Sequence, residues 1–217
     1  MTTHIYMIRH GRQSDKRCNV DVDLSLEGRE QARLVGQRIA TWNIGAIYTS
    51  SMVRARETAE IISDSLGVDV NVRSELREIS FGEMEGLTDE EIVANFAQFQ
   101  RDQSKMELDL QYPGGENISQ VLQRSIGVFD EIARSSPSRV AVVSHGGIIR
   151  AMVTHATSAP PARWRNIARN LENTSITELV AETNSYGVQY RLERLNDYAH
   201  LEPHSHLLRS AWAVAEN

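Results

Sequence analysis

The sequence predicts an α/β fold: a mostly parallel sheet with helices on both faces and an antiparallel edge strand. Three observations lead there. Short apolar, β-rich runs alternate with segments of helical periodicity along the whole chain. Two of those runs, 4–8 and 139–144, are apolar almost without interruption, as in strands buried on both faces. The last two strand patterns, 176–181 and 188–195, are joined by Asn184-Ser-Tyr-Gly187, which reads as a hairpin turn.

The elements follow in order. The run His4–Ile8 is the first strand and stops at Arg9-His10-Gly11. Ser25 caps a helix running to about Ala40, with Ala32, Val35 and Ile39 on one face. Gly45–Tyr48 is a short buried strand, and the helix that follows from about Met52 to Leu66 is closed by Gly67. Val68–Val72 alternates as a strand should. Thr88 begins another helix, with Asp89, Glu90 and Glu91 at the positive end of its dipole. A long helix runs from beyond Pro113-Gly114-Gly115 to about Arg134. The strand 139–144 then leads straight into His145-Gly146-Gly147 and a further helix.

At 217 residues, with 41% hydrophobic and 24% charged, the chain has an ordinary globular composition and is expected to form a single domain over 1–217. No apolar run approaches the roughly 18 residues of a bilayer span, and no basic stretch with an apolar core opens the chain, so no membrane association and no secretory signal are expected. Cys18 is the single cysteine, which excludes an intrachain disulfide and makes the cytoplasm the default location. A net charge of −6 repels duplex DNA, and no nucleic-acid partner is expected. Oligomeric state is left open, a homodimer being compatible with the sequence. Lys16 and Lys105 are the only lysines among 23 basic residues. So many arginines reflect either codon usage or a need for forked donors to oxyanions, and position decides between the two.

Ligands of such sheets gather beyond the carboxyl ends of the strands. Here two of the clearest strands end in a similar word, Arg9-His10-Gly11 and Ser144-His145-Gly146-Gly147. Read singly, a histidine beside a glycine is a turn residue. Two of them at the mouths of two central strands point to a site. They lack the spacing of a zinc helix motif and a matching third ligand, so no metal is expected. Arg9 adjoins the first histidine, and Arg54 lies where the strand ending in Tyr48-Thr-Ser-Ser51 gives way to a helix. Arginine beside helix N-terminal N–H groups forks onto oxyanions. Together these groups suit a dianionic phosphoryl group, whose transfer needs positioning, charge neutralisation and a proton donor. A neutral imidazole nitrogen is a competent phosphoryl acceptor. The donor should be a carboxylic acid at the same mouth. Glu78 follows the 68–72 strand, and on local sequence Glu75, Glu83 and Glu85 are equally eligible.

The ordered set of motifs resembles the histidine phosphatase superfamily, the phosphoglycerate mutase-like proteins. It comprises Arg9-His10-Gly11; Leu24-Ser25 with Gly28 and Gln31-Ala32; Ser50 through Arg54-Ala55 with Thr58-Ala59; and Glu78 with Phe81-Gly82 and Glu85-Gly86. Pro113-Gly114-Gly115-Glu116, Ser144–Gly147 and Asn173-Thr-Ser-Ile176 complete it, so that the likeness spans about residues 5 to 180. The resemblance implies a three-layer α/β/α sandwich. It also implies that His10 becomes phosphohistidine, that Arg9, Arg54 and His145 hold the phosphoryl oxygens, and that Glu78 donates the proton, with no cofactor. Where the family carries Thr or Ser and then Asn after Arg-His-Gly, this chain has Gln13 and Lys16; Asn19 is a substitute contact, and Gly146 a further one. The segment between His10 and Leu24 and the 86–114 region are shorter than in mutases. That favours a phosphomonoesterase acting on a small phosphorylated metabolite over a 2,3-bisphosphoglycerate-dependent mutase or a weakly catalytic phospho-ligand binding protein. Substrate choice is expected to lie in segments 12–23, 86–114 and 157–172.

Weaker signals have plainer readings. His200, Glu202, His204 and His206 could gather a metal, but read more simply as a packed or solvated tail. His155 reads as structural. Trp164, between Arg163 and Arg165, belongs either to a lid or to a helix packed on the sheet.

Overall fold

Strands β1 (Thr2–Arg9) and β4 (Arg139–Ser144) are apolar on both faces, and their alternate side chains leave the sheet on opposite sides. Ile5, Met7, Val140 and Val142 join one core cluster, with Val121, Phe129, Ile148 and Met152 of helices α4 (Ile118–Arg134) and α5 (Gly146–Ala156). Tyr6, Ile8, Ala141 and Val143 join a second, with Val35, Ile39, Ala59 and Ile62 of α1 (Leu26–Ile39) and α2 (Val53–Leu66). Two cores, one on each face of a single sheet, make the three-layer sandwich. The computed structural model describes the backbone of residues 1–134 and 137–212, with side chains up to residue 210.

The sheet has six strands, adding β2 (Ala46–Ser50), β3 (Val70–Arg73), β5 (Ile176–Asn184) and β6 (Gly187–Asp197), in the order β3-β2-β4-β1-β5-β6. The pairs β1–β4, β2–β4 and β2–β3 are parallel. The antiparallel part is a hairpin of two strands, with β5 inside the sheet beside β1 and β6 at the edge. The turn enforces that arrangement, because Asn184 Oδ1 accepts the Tyr186 N–H at 2.8 Å and Gly187 takes a φ of 133°.

Caps fall where the sequence places them. Ser25 Oγ accepts the Gly28 N–H, Gly67 closes α2 with a φ of 65°, and Thr88 and Glu91 form a reciprocal capping box at the start of α3 (Asp89–Ser104). The third strand pairs from Val70, later than the alternation suggests. The Val68 carbonyl is taken by Ser63 Oγ at 2.7 Å in closing the preceding helix. The segment after α5 forms a short 3-10 helix, Pro161–Asn166, which buries Trp164, before a short terminal helix α6 (Arg209–Trp212). Among the described residues no helix is long and apolar enough to cross a membrane.

Candidate active site

The parallel register of β1 and β4 places Arg9 opposite Ser144, so the residues that follow each strand emerge side by side. The His10 N–H donates to the Ser144 carbonyl at 2.9 Å, and the His10 and His145 rings lie 5.0 Å apart between centroids. His10 is 4% exposed. Its Nδ1 lies 2.7 Å from the Gly11 carbonyl oxygen, which can only accept, so the proton sits on Nδ1 and Nε2 carries the lone pair. Arg54 Nε donates to that lone pair at 3.2 Å. Burial, then Arg54 and Arg9, hold the imidazole pKa well below its ordinary value, so His10 is neutral at pH 7. The backbone around it is fixed by Asn173 Nδ2 on the His10 carbonyl and by Thr58 Oγ1, which accepts the Gly11 N–H.

Arg54 sits in the first turn of α2, buried to 2% exposure. Its Nη1 donates to the Val20 carbonyl at 3.0 Å and its Nη2 to Asn19 Oδ1 at 2.7 Å. Asn19, at a φ of 49°, passes its own Nδ2 to Glu85 Oε1, and so orients Arg54. Arg9 Nη1 donates to the Leu171 carbonyl, while its buried Nε has no partner. Burial foremost, then the neighbouring Arg209, draw its pKa down to about 9, which still leaves a cation at pH 7. His145, fully buried, is also kept neutral by burial and by Arg54. Its Nε2 meets Ser50 Oγ at 2.8 Å, and its buried Nδ1 has no partner.

Glu78 is the carboxylate that the fold delivers to this point. Its Oε1 accepts the Ile79 N–H at 2.9 Å and the Gly147 N–H, in the first turn of α5, at 2.8 Å. A Cβ on residue 147 would stand 2.4 Å from Oε1, so only glycine permits the approach. The segment carrying Glu78 is held from below. Arg124 donates to the Glu78 carbonyl and to Glu116, Glu116 accepts the Ser80 N–H, and Ser144 Oγ donates to the Leu76 carbonyl. Pro113–Glu116 therefore supports the acid from outside the site. Glu75, Glu83 and Glu85 line neither of the two cavities that border Glu78.

Those cavities meet at Arg9, Glu78, Phe81 and Arg209. The larger, about 530 Å³, runs over His10 and Arg54 towards Gln13, Lys16 and Asn19. Gln13 Nε2 donates to the Asp15 carbonyl within its own loop, and Lys16 is exposed at the rim. The smaller, about 300 Å³, lies beyond Glu78 and Gly146, against Arg150, Trp164 and Arg165. Arg150 follows Gly146 by four positions on α5, the helical spacing that brings two residues to one face. Sequence reasoning passed over it, as it passed over Thr58 and Ser50 as individual contacts. Elsewhere, His200 is enclosed by Arg38 and Thr174, His206 lies 3.8 Å from Glu30, and His155 packs edge-on against Tyr190. Among the described residues no three His, Cys, Asp or Glu side chains are grouped to hold a metal ion.

Residues 5–197 match the histidine phosphatase superfamily (branch 1), and the chain belongs to that family. Among its curated relatives is phosphoglycerate mutase-like protein 4 of Arabidopsis thaliana, 30% identical over 207 residues, covering 91% of this chain and 86% of the relative. Among solved structures, a mycobacterial glucosyl-3-phosphoglycerate phosphatase superposes with a TM-score of 0.82 at 28% identity, over 91% of this chain and all of that one. A phosphoserine phosphatase from Entamoeba histolytica, in complex with 3-phosphoglyceric acid, superposes with a TM-score of 0.75 at 25% identity, over 92% and 99% of the two chains.

Proposed function

We propose that this protein is a phosphomonoesterase that hydrolyses a small phosphorylated metabolite through phosphohistidine at His10. The carrying observation is the tautomer. The Gly11 carbonyl accepts a hydrogen bond from Nδ1–H, which leaves a neutral Nε2 lone pair beside the Arg54 guanidinium. In the first step Nε2 attacks phosphorus as the ester P–O bond breaks. The leaving alkoxide takes a proton from Glu78, Arg9 and Arg54 balance the charge on the phosphoryl oxygens, and neutral His145 hydrogen-bonds to them. In the second step water attacks the phosphohistidine and gives its proton to Glu78. Inorganic phosphate leaves, and both His10 and the acid are regenerated. This cycle draws on no cofactor. The phosphatase names of two structural relatives support hydrolysis.

A mutase is the second reading, favoured by the mutase-like name of the Arabidopsis relative. One experiment separates the two. Phosphate release from p-nitrophenyl phosphate and a metabolite panel is measured with and without 2,3-bisphosphoglycerate, alongside alkaline trapping of labelled phosphoenzyme. Release without the bisphosphate, and label on His10 that is lost in His10→Ala, is the expected result. Label on His145 alone, or isomerisation that requires the bisphosphate, overturns the reading.

A further inference from the structure

The phosphoryl machinery of the proposed function uses Arg9 and Arg54. The smaller cavity adds Arg150, Arg165 and Arg169 to the same mouth, in a chain whose net charge is −6. Among the described residues none of these three lies within ion-pair distance of a carboxylate. Position, and not composition alone, gathers them.

Two of the three are built into place. Arg150 Nε and Nη2 donate to the Ile167 and Ala168 carbonyls, each at 3.0 Å, which fixes the guanidinium plane. Its remaining arm, Nη1, lies 3.1 Å from where a Cβ on Gly146 would stand, one residue from His145. Arg165 lies over the buried Trp164 ring at 4.8 Å and donates through Nη2 to the Tyr112 hydroxyl. Arg150 approaches the same ring at 5.9 Å. Stacking engages the faces of a guanidinium and leaves its N–H edges for a ligand. Glu78 stands between this pair and His10, where the departing alcohol of a phosphomonoester must pass.

We propose that the smaller cavity is a second-anion subsite, in which Arg150 and Arg165 on the Trp164 floor select phosphomonoesters whose alcohol carries a further carboxylate or phosphate. The subsite rests on the phosphomonoesterase reading for what it selects, but its occupancy can be measured without turnover. A carboxylate or phosphate held by these N–H edges makes charge-assisted hydrogen bonds that a neutral alcohol cannot. The arginines also hold the leaving group on the Glu78 side of phosphorus.

The test is calorimetric titration of His10→Ala, which forms no phosphoenzyme. Glycerol 3-phosphate is compared with 3-phosphoglycerate, which adds a carboxylate, and fructose 6-phosphate with fructose 1,6-bisphosphate, which adds a phosphate. At least one doubly anionic ester should bind about tenfold or more tightly than its partner. Adding Arg165→Gln, at an exposed guanidinium, should cut that preference about fivefold or more, with the melting temperature reporting that the fold is kept. Equal binding within both pairs, no binding of any of the four, or a preference that survives Arg165→Gln overturns the proposal. Failure of the underlying reading looks different. The wild-type protein then releases no phosphate from p-nitrophenyl phosphate or the metabolite panel and takes up no label on His10, whatever the calorimetry shows.

Discussion

His200 is partly buried beside the loop that holds the His10 backbone, and its pKa makes a measurable prediction. Arg38 can only donate, so His200 Nδ1 accepts from Arg38 Nη1 at 3.3 Å, and the proton sits on Nε2, 3.0 Å from Thr174 Oγ1. That hydroxyl donates to the Asn173 carbonyl, and Asn173 Nδ2 holds the His10 carbonyl. Protonating Nδ1 would set a cation against Arg38. Burial first and Arg38 second lower the pKa to about 4, against the opposing pull of Asp197. The sign follows. Below about 6.5 the unfolded chain binds a proton at this imidazole that the folded protein refuses until about pH 4, so stability falls as pH falls across that window. At about 1.4 kcal/mol per unit, the loss between pH 7.5 and 4.5 is about 2 to 2.5 kcal/mol from this group. Urea denaturation of wild type and His200→Gln at both pH values isolates it, because buried His10 and His145 contribute equally to each protein. The wild type should lose about 2 kcal/mol more than the variant. Parallel losses refute the assignment of the neutral tautomer.

Two predictions concern turnover. Because burial and Arg54 keep free His10 neutral, the acid limb of kcat/KM for p-nitrophenyl phosphate should lie below pH 6.5 in a pH–rate profile; a limb at or above 6.5 contradicts a lowered pKa. If Arg9 and Arg54 supply the positive charge and neutral His145 a hydrogen bond to the phosphoryl oxygens, turnover should survive exhaustive EDTA treatment; activity that vanishes and returns with zinc or magnesium would assign part of that task to a metal.

What could be seen in advance follows from what is local. Buried parallel strands are near-continuous apolar runs, so the ends of β1 and β4, and with them His10 and His145, were legible from pattern alone. Caps at Ser25, Gly67 and Thr88 were legible because one side chain or one φ decides each. Glu78 was not separable from Glu75, Glu83 and Glu85, because what distinguishes it is the Gly147 N–H, 69 residues away and on another element. The hairpin was legible as a turn, but its position inside the sheet depends on β1 pairing with β5. Arg150 stayed hidden among so many arginines, and Arg165 was visible only as a neighbour of Trp164 in a lid or packed helix, since only tertiary packing on Trp164 tells a site arginine from a surface one.

The acid can be tested almost without disturbing geometry. Oε1 of Glu78 is an acceptor for two backbone N–H groups, from Ile79 and Gly147, so the proton to be donated belongs on Oε2. In Glu78→Gln the amide oxygen can keep both of those bonds, leaving an NH2 group where the acid was, a donor that does not give up its proton. General acid catalysis contributes about 10²–10⁴-fold, and it matters when the leaving group is an alkoxide but little when it is p-nitrophenolate. The expected outcome is a loss of about 10²-fold or more in kcat/KM for an alkyl phosphomonoester, with a much smaller loss for p-nitrophenyl phosphate. Gly147→Ala should produce the same asymmetry by displacement. Its Cβ would stand 2.4 Å from Oε1, so the carboxyl must retreat by about 1 Å, and a misplacement of that size costs on the order of 10²-fold. Equal losses on both esters in Glu78→Gln would make Glu78 a residue that orients substrate. An undiminished alkyl-ester rate would remove it from the chemistry altogether, and with Glu75, Glu83 and Glu85 outside both cavities the proton would then have to come from solvent or from Asp15 or Asp89, the other carboxyl groups of the larger cavity.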